Sequence, residues 1–372
     1  MTTTMRRAMR RMFAAGLPAA VAIGSVGLPA TASALPVRGP IPVAGSSVAP
    51  SGTDTEVTFE AGGLVLHGSL RAPAHPRTGA AVLLLPGSGP TDRNGNQPGL
   101  TANTIGRIAD DLAAQGIPSL RFDKLGSGAT GLAGLPPERL AEFGFTAQVD
   151  HAAAAARVLA ERTGVPTDRL ILVGHSEGAF TALALAERGI GHGGLGLLAP
   201  LPMRYLDLLT AQLNTQLDQA VRIGQMSVAD ADAARATLRD TIAGLRESGT
   251  LPARPDPLLA SIGLVRSNAK FLAEADALDP VRLAAAVPDS TPVLLTCSDK
   301  DLNVNCAQVG PIRDELGHTD LHFAHFTNAN HLLDELGPLP PGPLDMIVPL
   351  PQSLEFSAAL HDWSARFPTD HN

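Results

Sequence analysis

The chain reads as an α/β protein: a mostly parallel, eight-stranded sheet flanked by helices, with a helical lid inserted between strands 6 and 7. Three observations predict this. Short apolar runs bounded by Gly, Pro or Asp alternate with longer helical patterns, the arrangement that builds a parallel sheet through right-handed crossovers. From Ala81 onward those runs are almost continuously hydrophobic, as strands covered on both faces must be. The stretch from 201 to 290 breaks the alternation, with helical patterns and no strand.

The first 34 residues read as an export signal. Arg6, Arg7, Arg10 and Arg11 precede an uncharged stretch from Ala14, and Ala32-Ser33-Ala34 has the form of a cleavage site. Arg10-Arg11-Met12-Phe13 resembles the core of a twin-arginine signal, and the weakly hydrophobic stretch suits that route. Pro18, Pro29 and abundant Gly and Ala argue against a retained membrane anchor, so no stable membrane span is expected after cleavage and the protein is expected to be exported. Residues 35–54, rich in Pro, Gly and Ser, read as a flexible linker.

The core is expected over 55–200 and 291–372. Strands are predicted at 56–60, 64–70, 81–86, 118–123, 170–175, 193–199, 292–297 and 321–327. Helices are predicted at 102–115, 144–163, 177–188, 306–316 and 352–365. The 201–290 segment carries helical patterns at 204–223, 227–247 and 257–275, and a lid over a site is its natural use. The 372 residues carry a net charge of −8, and the leader's four arginines leave the remainder more acidic still. That balance gives no electrostatic footprint for nucleic acid.

The most informative stretch is Leu170-Ile171-Leu172-Val173-Gly174-His175-Ser176-Glu177-Gly178-Ala179. An apolar strand enters G-x-S-x-G and leaves as helix-forming residues, the sequence form of a nucleophile elbow. Side chains flanking the serine would strike neighbouring backbone in so tight a turn, which requires both glycines. Ser176 is the candidate nucleophile. Its hydroxyl needs a base, and the base needs an acid to fix its tautomer. Both residue types stand after the last two strands: Asp299 and Asp301 after Pro292–Cys297, and His331 after Leu321–Phe326. His322 and His325 fall inside the last strand and read as structural, because a base must sit in a loop facing the elbow.

These motifs resemble the α/β-hydrolase superfamily, and within it exported serine esterases similar to dienelactone hydrolases and acyl-peptide hydrolases. The resemblance spans roughly 56–366. It rests on Leu84–Asn96 after the third strand, on Arg121-Phe122-Asp123-Lys124-Leu125-Gly126-Ser127-Gly128 after the fourth, on the elbow, and on the acid and histidine loops in the order Ser, Asp, His. It implies a triad of Ser176, Asp301 and His331, with Asp301 preferred to Asp299. It implies an oxyanion hole from the backbone amides of Ser88 and Glu177. His175 is expected to point away from the site. Pro86 departs from the family, which often has histidine before the glycine.

Asp92, Arg93, Asn94 and Asn96 read either as substrate contacts at the pocket rim or as turn residues, since Asn-Gly is a turn dipeptide. Cys297 and Cys306 are two free thiols or one disulfide, which an oxidising compartment permits. Asp299, Asp301, Asn303 and Asn305 alternate like half of a calcium loop. Val304 and Gly310 stand where that loop needs Gly and a bidentate Glu, so no metal is expected.

The resemblance implies cleavage of a small-molecule carboxylic ester through an acyl-enzyme, without a cofactor. Peptidase, thioesterase or acyltransferase chemistry on the same triad, and a non-catalytic ligand-binding descendant, are the alternatives. A serine at the elbow excludes aspartate-nucleophile dehalogenase and epoxide hydrolase chemistry. The Leu- and Ala-rich lid, in a chain with one Trp and one Tyr, favours aliphatic acyl or small apolar esters over polysaccharides.

Overall fold

The computed structural model describes residues 52–77, 79–342 and 345–367. The export signal and most of the expected linker lie outside the described residues. Eight strands form one sheet: β1 (Gly52–Ala61), β2 (Leu64–Pro73), β3 (Val82–Leu85), β4 (Ser119–Phe122), β5 (Ile171–His175), β6 (Gly194–Leu198), β7 (Pro292–Ser298) and β8 (Asp320–Phe326). Their order is β1-β2-β4-β3-β5-β6-β7-β8. The β1/β2 and β2/β4 pairs are antiparallel, and every later pair is parallel.

The helices outside the insertion are α1 (Thr104–Ala114), α2 (Phe145–Thr163), α3 (Glu177–Glu187), α9 (Cys306–Glu315) and α10 (Leu354–Ser364). The alternation of side chains along each strand divides the core. Leu83 and Leu85 face α2 and α3, whereas Val82 and Leu84 face Ile105 and Leu112 of α1 and Phe356 and Trp363 of α10. All four β3 residues are buried, as their unbroken apolar run requires. Strand β8 differs from that expectation. It closes the edge of the sheet, and most of its residues are partly exposed.

Strand order reverses between β3 and β5: the chain leaves β3 for β4 on one side and leaves β5 for β6 on the other. Loops diverge there beyond the C-terminal strand ends, opening the crevice where sheets of this kind bind ligands.

Residues 201–290 contain α4 (Tyr205–Arg222), α5 (Val228–Ser248), α6 (Pro257–Ser261), α7 (Ala269–Ala277) and α8 (Pro280–Ala285). The single helix expected over 257–275 is broken. Gly263 takes φ +84° after α6, a left-handed conformation that ends the helix, and a one-turn 3-10 segment at Arg266–Asn268 leads into α7. Asp279 caps the short α8, which the sequence pattern did not separate. The linker also ends earlier than expected. Gly52, Thr53 and Asp54 belong to β1, held by a ten-residue pairing with β2 and by Arg121, which grips the Asp54 carboxylate with two nitrogens at 3.0 and 2.6 Å. Pairing with distant residues overrides the local Pro, Gly and Ser bias there.

Candidate active site

Ser176 stands between β5 and α3, on the β5 side of the crevice, with φ 54° and ψ −119°. Such a backbone is strained for a residue with a side chain. The glycines on either side make the turn possible. A Cβ on Gly174 would lie 2.1 Å from the Gly178 carbonyl oxygen, and one on Gly178 would lie 2.1 Å from the Leu85 oxygen. The loop after β3 also passes close to the serine: a Cβ on Gly87 would be 3.6 Å from that of Ser176.

His331 and Asp301 converge on this serine. His331 Nε2 is 3.1 Å from Ser176 Oγ, and Nδ1 is 2.8 Å from Asp301 Oδ2. With a carboxylate accepting at Nδ1, that nitrogen carries the proton and Nε2 is left to accept from the serine hydroxyl. Both side chains are buried. The other oxygen of Asp301 accepts from the Asn303 and Val304 amides at 2.7 and 2.9 Å, which fixes the carboxylate plane. The histidine loop is fixed as firmly: Asn330 Oδ1 accepts from the Leu332 and Asp334 amides, both at 2.9 Å. Asp299 lies apart from this group and pairs with His325 at the exposed edge.

The structure corrects one expectation, for His175, and decides between the two readings left open for Arg93. His175 does not turn away from the base. Its Nε2 donates to the His331 carbonyl oxygen at 2.7 Å, and the two imidazole centroids lie 5.0 Å apart. Burial, and then the neighbouring His331, push its pKa down to about 4, so it is a neutral donor at ordinary pH. Arg93 is buried rather than at a rim. It binds Asp123 Oδ2 at 2.8 Å, Glu56 Oε2 at 2.5 Å and Ser69 Oγ at 2.8 Å, tying the loop after β3 to the sheet. Asp92 and Asn94 also serve that loop. Asp92 Oδ1 accepts from the Asn94 and Asn96 amides, and Asn94 Oδ1 accepts from Arg121 Nε.

Three further residues escape sequence reasoning. Lys124 Nζ donates to the Gly87 oxygen at 2.6 Å and lies 3.2 Å from Glu177 Oε1. Gln148 Nε2 donates to that same oxygen at 3.0 Å, and Tyr205 donates to Glu177 Oε2 at 2.7 Å. A carboxylate with 1% exposure is thereby fully partnered. Burial, then Glu177, hold the Tyr205 phenol well above its usual pKa, so it remains a donor. The only signal for Lys124 was its place in the turn after the fourth strand; for Gln148 and Tyr205 there was none.

Beside this group lies a cavity of about 830 Å3. Its wall includes Gly89 and Glu177, the chain neighbours of Ser88 and Ser176, together with Lys124, Gln148 and Phe271. Cys297 and Cys306 are joined in a disulfide with a Cα–Cα distance of 5.1 Å, closing the loop that carries Asp301. No described helix is long and apolar enough to cross a membrane.

This sheet order, with the elbow at the end of β5 and the acid and histidine loops after β7 and β8, is the α/β-hydrolase fold. Solved structures agree. An esterase of Pyrococcus furiosus superposes with a TM-score of 0.52 at 14% identity, over 88% of this chain and 97% of its own. Puromycin hydrolase gives 0.53 at 19% identity over 87% of this chain, which spans only 40% of that protein. No protein-family model and no curated protein matches the sequence.

Proposed function

We propose that the protein is a serine hydrolase that cleaves carboxylic esters. The observation that carries this reading is the hydrogen-bonded line from Asp301 through His331 to Ser176, at 2.8 and 3.1 Å, ending on the strained residue of the elbow. In the proposed reaction His331 Nε2 takes the hydroxyl proton as Ser176 Oγ attacks the ester carbonyl carbon. Asp301 stabilises the imidazolium that forms. The tetrahedral oxyanion is received by the amides of Ser88 and Glu177. Glu177 opens α3, so its N–H has no acceptor within the helix. Collapse expels the alcohol, protonated by His331. Water, deprotonated by the same nitrogen, then attacks the acyl-enzyme, and its breakdown releases the acid and restores Ser176.

Residues 201–290 act as a lid in this reading, supported by Val265, Asn268 and Phe271 on the cavity wall. Residues 1–34 act as the export leader, with which the Cys297–Cys306 disulfide agrees, since such bonds persist in oxidising compartments.

The test is fluorophosphonate labelling with peptide mapping, followed by turnover of p-nitrophenyl esters of increasing chain length. Modification at Ser176 and ester turnover, both abolished in Ser176→Ala, are expected. Undiminished activity in that variant overturns the reading. Product analysis with competing alcohol, thioester and peptide substrates separates water from other acyl acceptors and esters from other acyl donors.

A further inference from the structure

The cavity beside the elbow holds a histidine for which the proposed ester cleavage has no use. His151 is 4% exposed and lines the same cavity as Gly89 and Glu177. No hydrogen bond to its ring from the described residues is present; its ring lies 6.3 Å from that of Phe143, centroid to centroid. The ring nitrogens are not sealed in protein, so a polar group that enters the cavity can take the place of the water they would otherwise bond.

The position along α2 gives the direction. Gln148, which bonds Glu177 beside Ser176, lies three residues before His151. At about 1.5 Å per residue, His151 therefore sits roughly 4.5 Å farther along the helix axis. The cavity wall also carries the apolar side chains of Phe122, Leu125, Leu140, Phe143 and Phe271, with Phe143 beside the His151 ring. The polar residues nearer Ser176 are bonded to one another: Lys124 and Gln148 both reach Glu177.

Charge narrows the ligand. Burial lowers the His151 pKa, outweighing the opposing effect of Asp150, so the ring is neutral and offers one donor and one acceptor. Of the charged residues on the cavity wall, Lys124 is paired with Glu177, which leaves the Glu138 carboxylate to disfavour an anionic group.

We propose that the cavity takes the apolar arm of an ester substrate and that His151 selects arms carrying an uncharged hydroxyl remote from the scissile bond. The inference rests on the ester-cleaving reading of Ser176. Its residue is a specificity determinant and takes no part in bond breaking.

Binding to the intact Ser176→Ala protein tests it without turnover. Calorimetry would compare p-nitrophenyl hexanoate with p-nitrophenyl 6-hydroxyhexanoate, and hexyl acetate with 6-hydroxyhexyl acetate, so that either arm of the ester is sampled. The hydroxyl is expected to tighten binding by about 3- to 10-fold in one pair, the worth of one neutral hydrogen bond. Adding His151→Phe removes that difference, and His151→Gln, which still donates and accepts, retains part of it. Equal affinities within both pairs, a preference that survives His151→Phe, or no binding by any of the four overturns the proposal. Failure of Ser176 labelling in the native protein instead overturns the ester reading, and the two failures are read in separate experiments.

Discussion

The Lys124 ammonium donates to the Gly87 carbonyl at 2.6 Å while lying 3.2 Å from the Glu177 carboxylate. In a trans peptide the carbonyl and the following N–H point in opposite directions, so holding the Gly87 oxygen turns the Ser88 N–H away from Lys124. The same cation fixes Glu177, whose amide is the other expected oxyanion donor. One side chain thus holds both segments that carry the proposed oxyanion donors.

Lys124→Met alone leaves Glu177 buried without its cation, and breaking a buried pair in this way costs about 3–5 kcal/mol. The informative protein is therefore Lys124→Met with Glu177→Gln, which removes both charges. We expect the double variant to recover much of the melting temperature lost in the single one. Its kcat is expected to stay about 10- to 100-fold below wild type, with KM little changed, because misdirected oxyanion donors act on the transition state. Steady-state kinetics beside thermal melts check this. Recovery of kcat together with stability would reduce Lys124 to a partner for Glu177.

Asp301 and Asp299 make a matched pair of tests. In Asp301→Asn the side-chain oxygen can still accept from Asn303 and Val304, which turns its NH2 toward His331 Nδ1. The imidazole is then driven into the other tautomer, with its proton on Nε2, where it cannot accept from Ser176. A fall in kcat of about 10⁴ is expected, with the fold unchanged by circular dichroism. Asp299→Asn touches only the exposed pair with His325, and its kcat is expected to match wild type.

His175 gives stability a pH dependence of known sign. Its pKa is about 4 in the folded protein against 6.5 when unfolded, so between those values the unfolded chain binds more protons. The contribution of the neutral buried imidazole is fully present above pH 6.5 and is lost as pH falls toward 4. A shift of this size corresponds to roughly 3 kcal/mol. Denaturant melts at pH 7 and pH 4 should show wild type losing about that much more stability than His175→Gln, which still donates to the His331 carbonyl. Equal losses would mean that His175 is protonated in the folded state at much higher pH.

How legible these features were in the sequence depends on how far each residue stands from its partners. The elbow was readable because its constraint is local: Gly174 and Gly178 meet backbone within a few residues of Ser176 or in the adjacent strand. Asp301 and His331 were readable because each follows an apolar strand closely. Arg93 was ambiguous because Glu56 and Asp123, its partners, are 37 and 30 residues away. His175 was misread because the loop it supports returns from 156 residues downstream. The β1 start was set too late for the same reason, since Gly52 is held by Pro73 across the hairpin while its own neighbourhood is rich in turn residues.

The disulfide offers the last test, because it encloses the acid. Cys297 is the penultimate residue of β7, Cys306 opens α9, and the nine-residue separation between them contains Asp301 and both amides that fix it. Closing a loop of this length stabilises by about 2 to 3 kcal/mol on the chain-entropy model. Replacing both cysteines by serine should lower the unfolding free energy by that amount in urea melts. The effect on kcat separates two roles. If the Asn303 and Val304 amides suffice to hold the carboxylate, kcat stays near wild type and the bond acts on the unfolded chain alone. If the loop relaxes, His331 loses its orienting partner, and kcat falls toward that of Asp301→Asn while KM stays constant. We expect the first outcome, because those two hydrogen bonds and the Asp301–His331 contact survive the loss of both sulfurs.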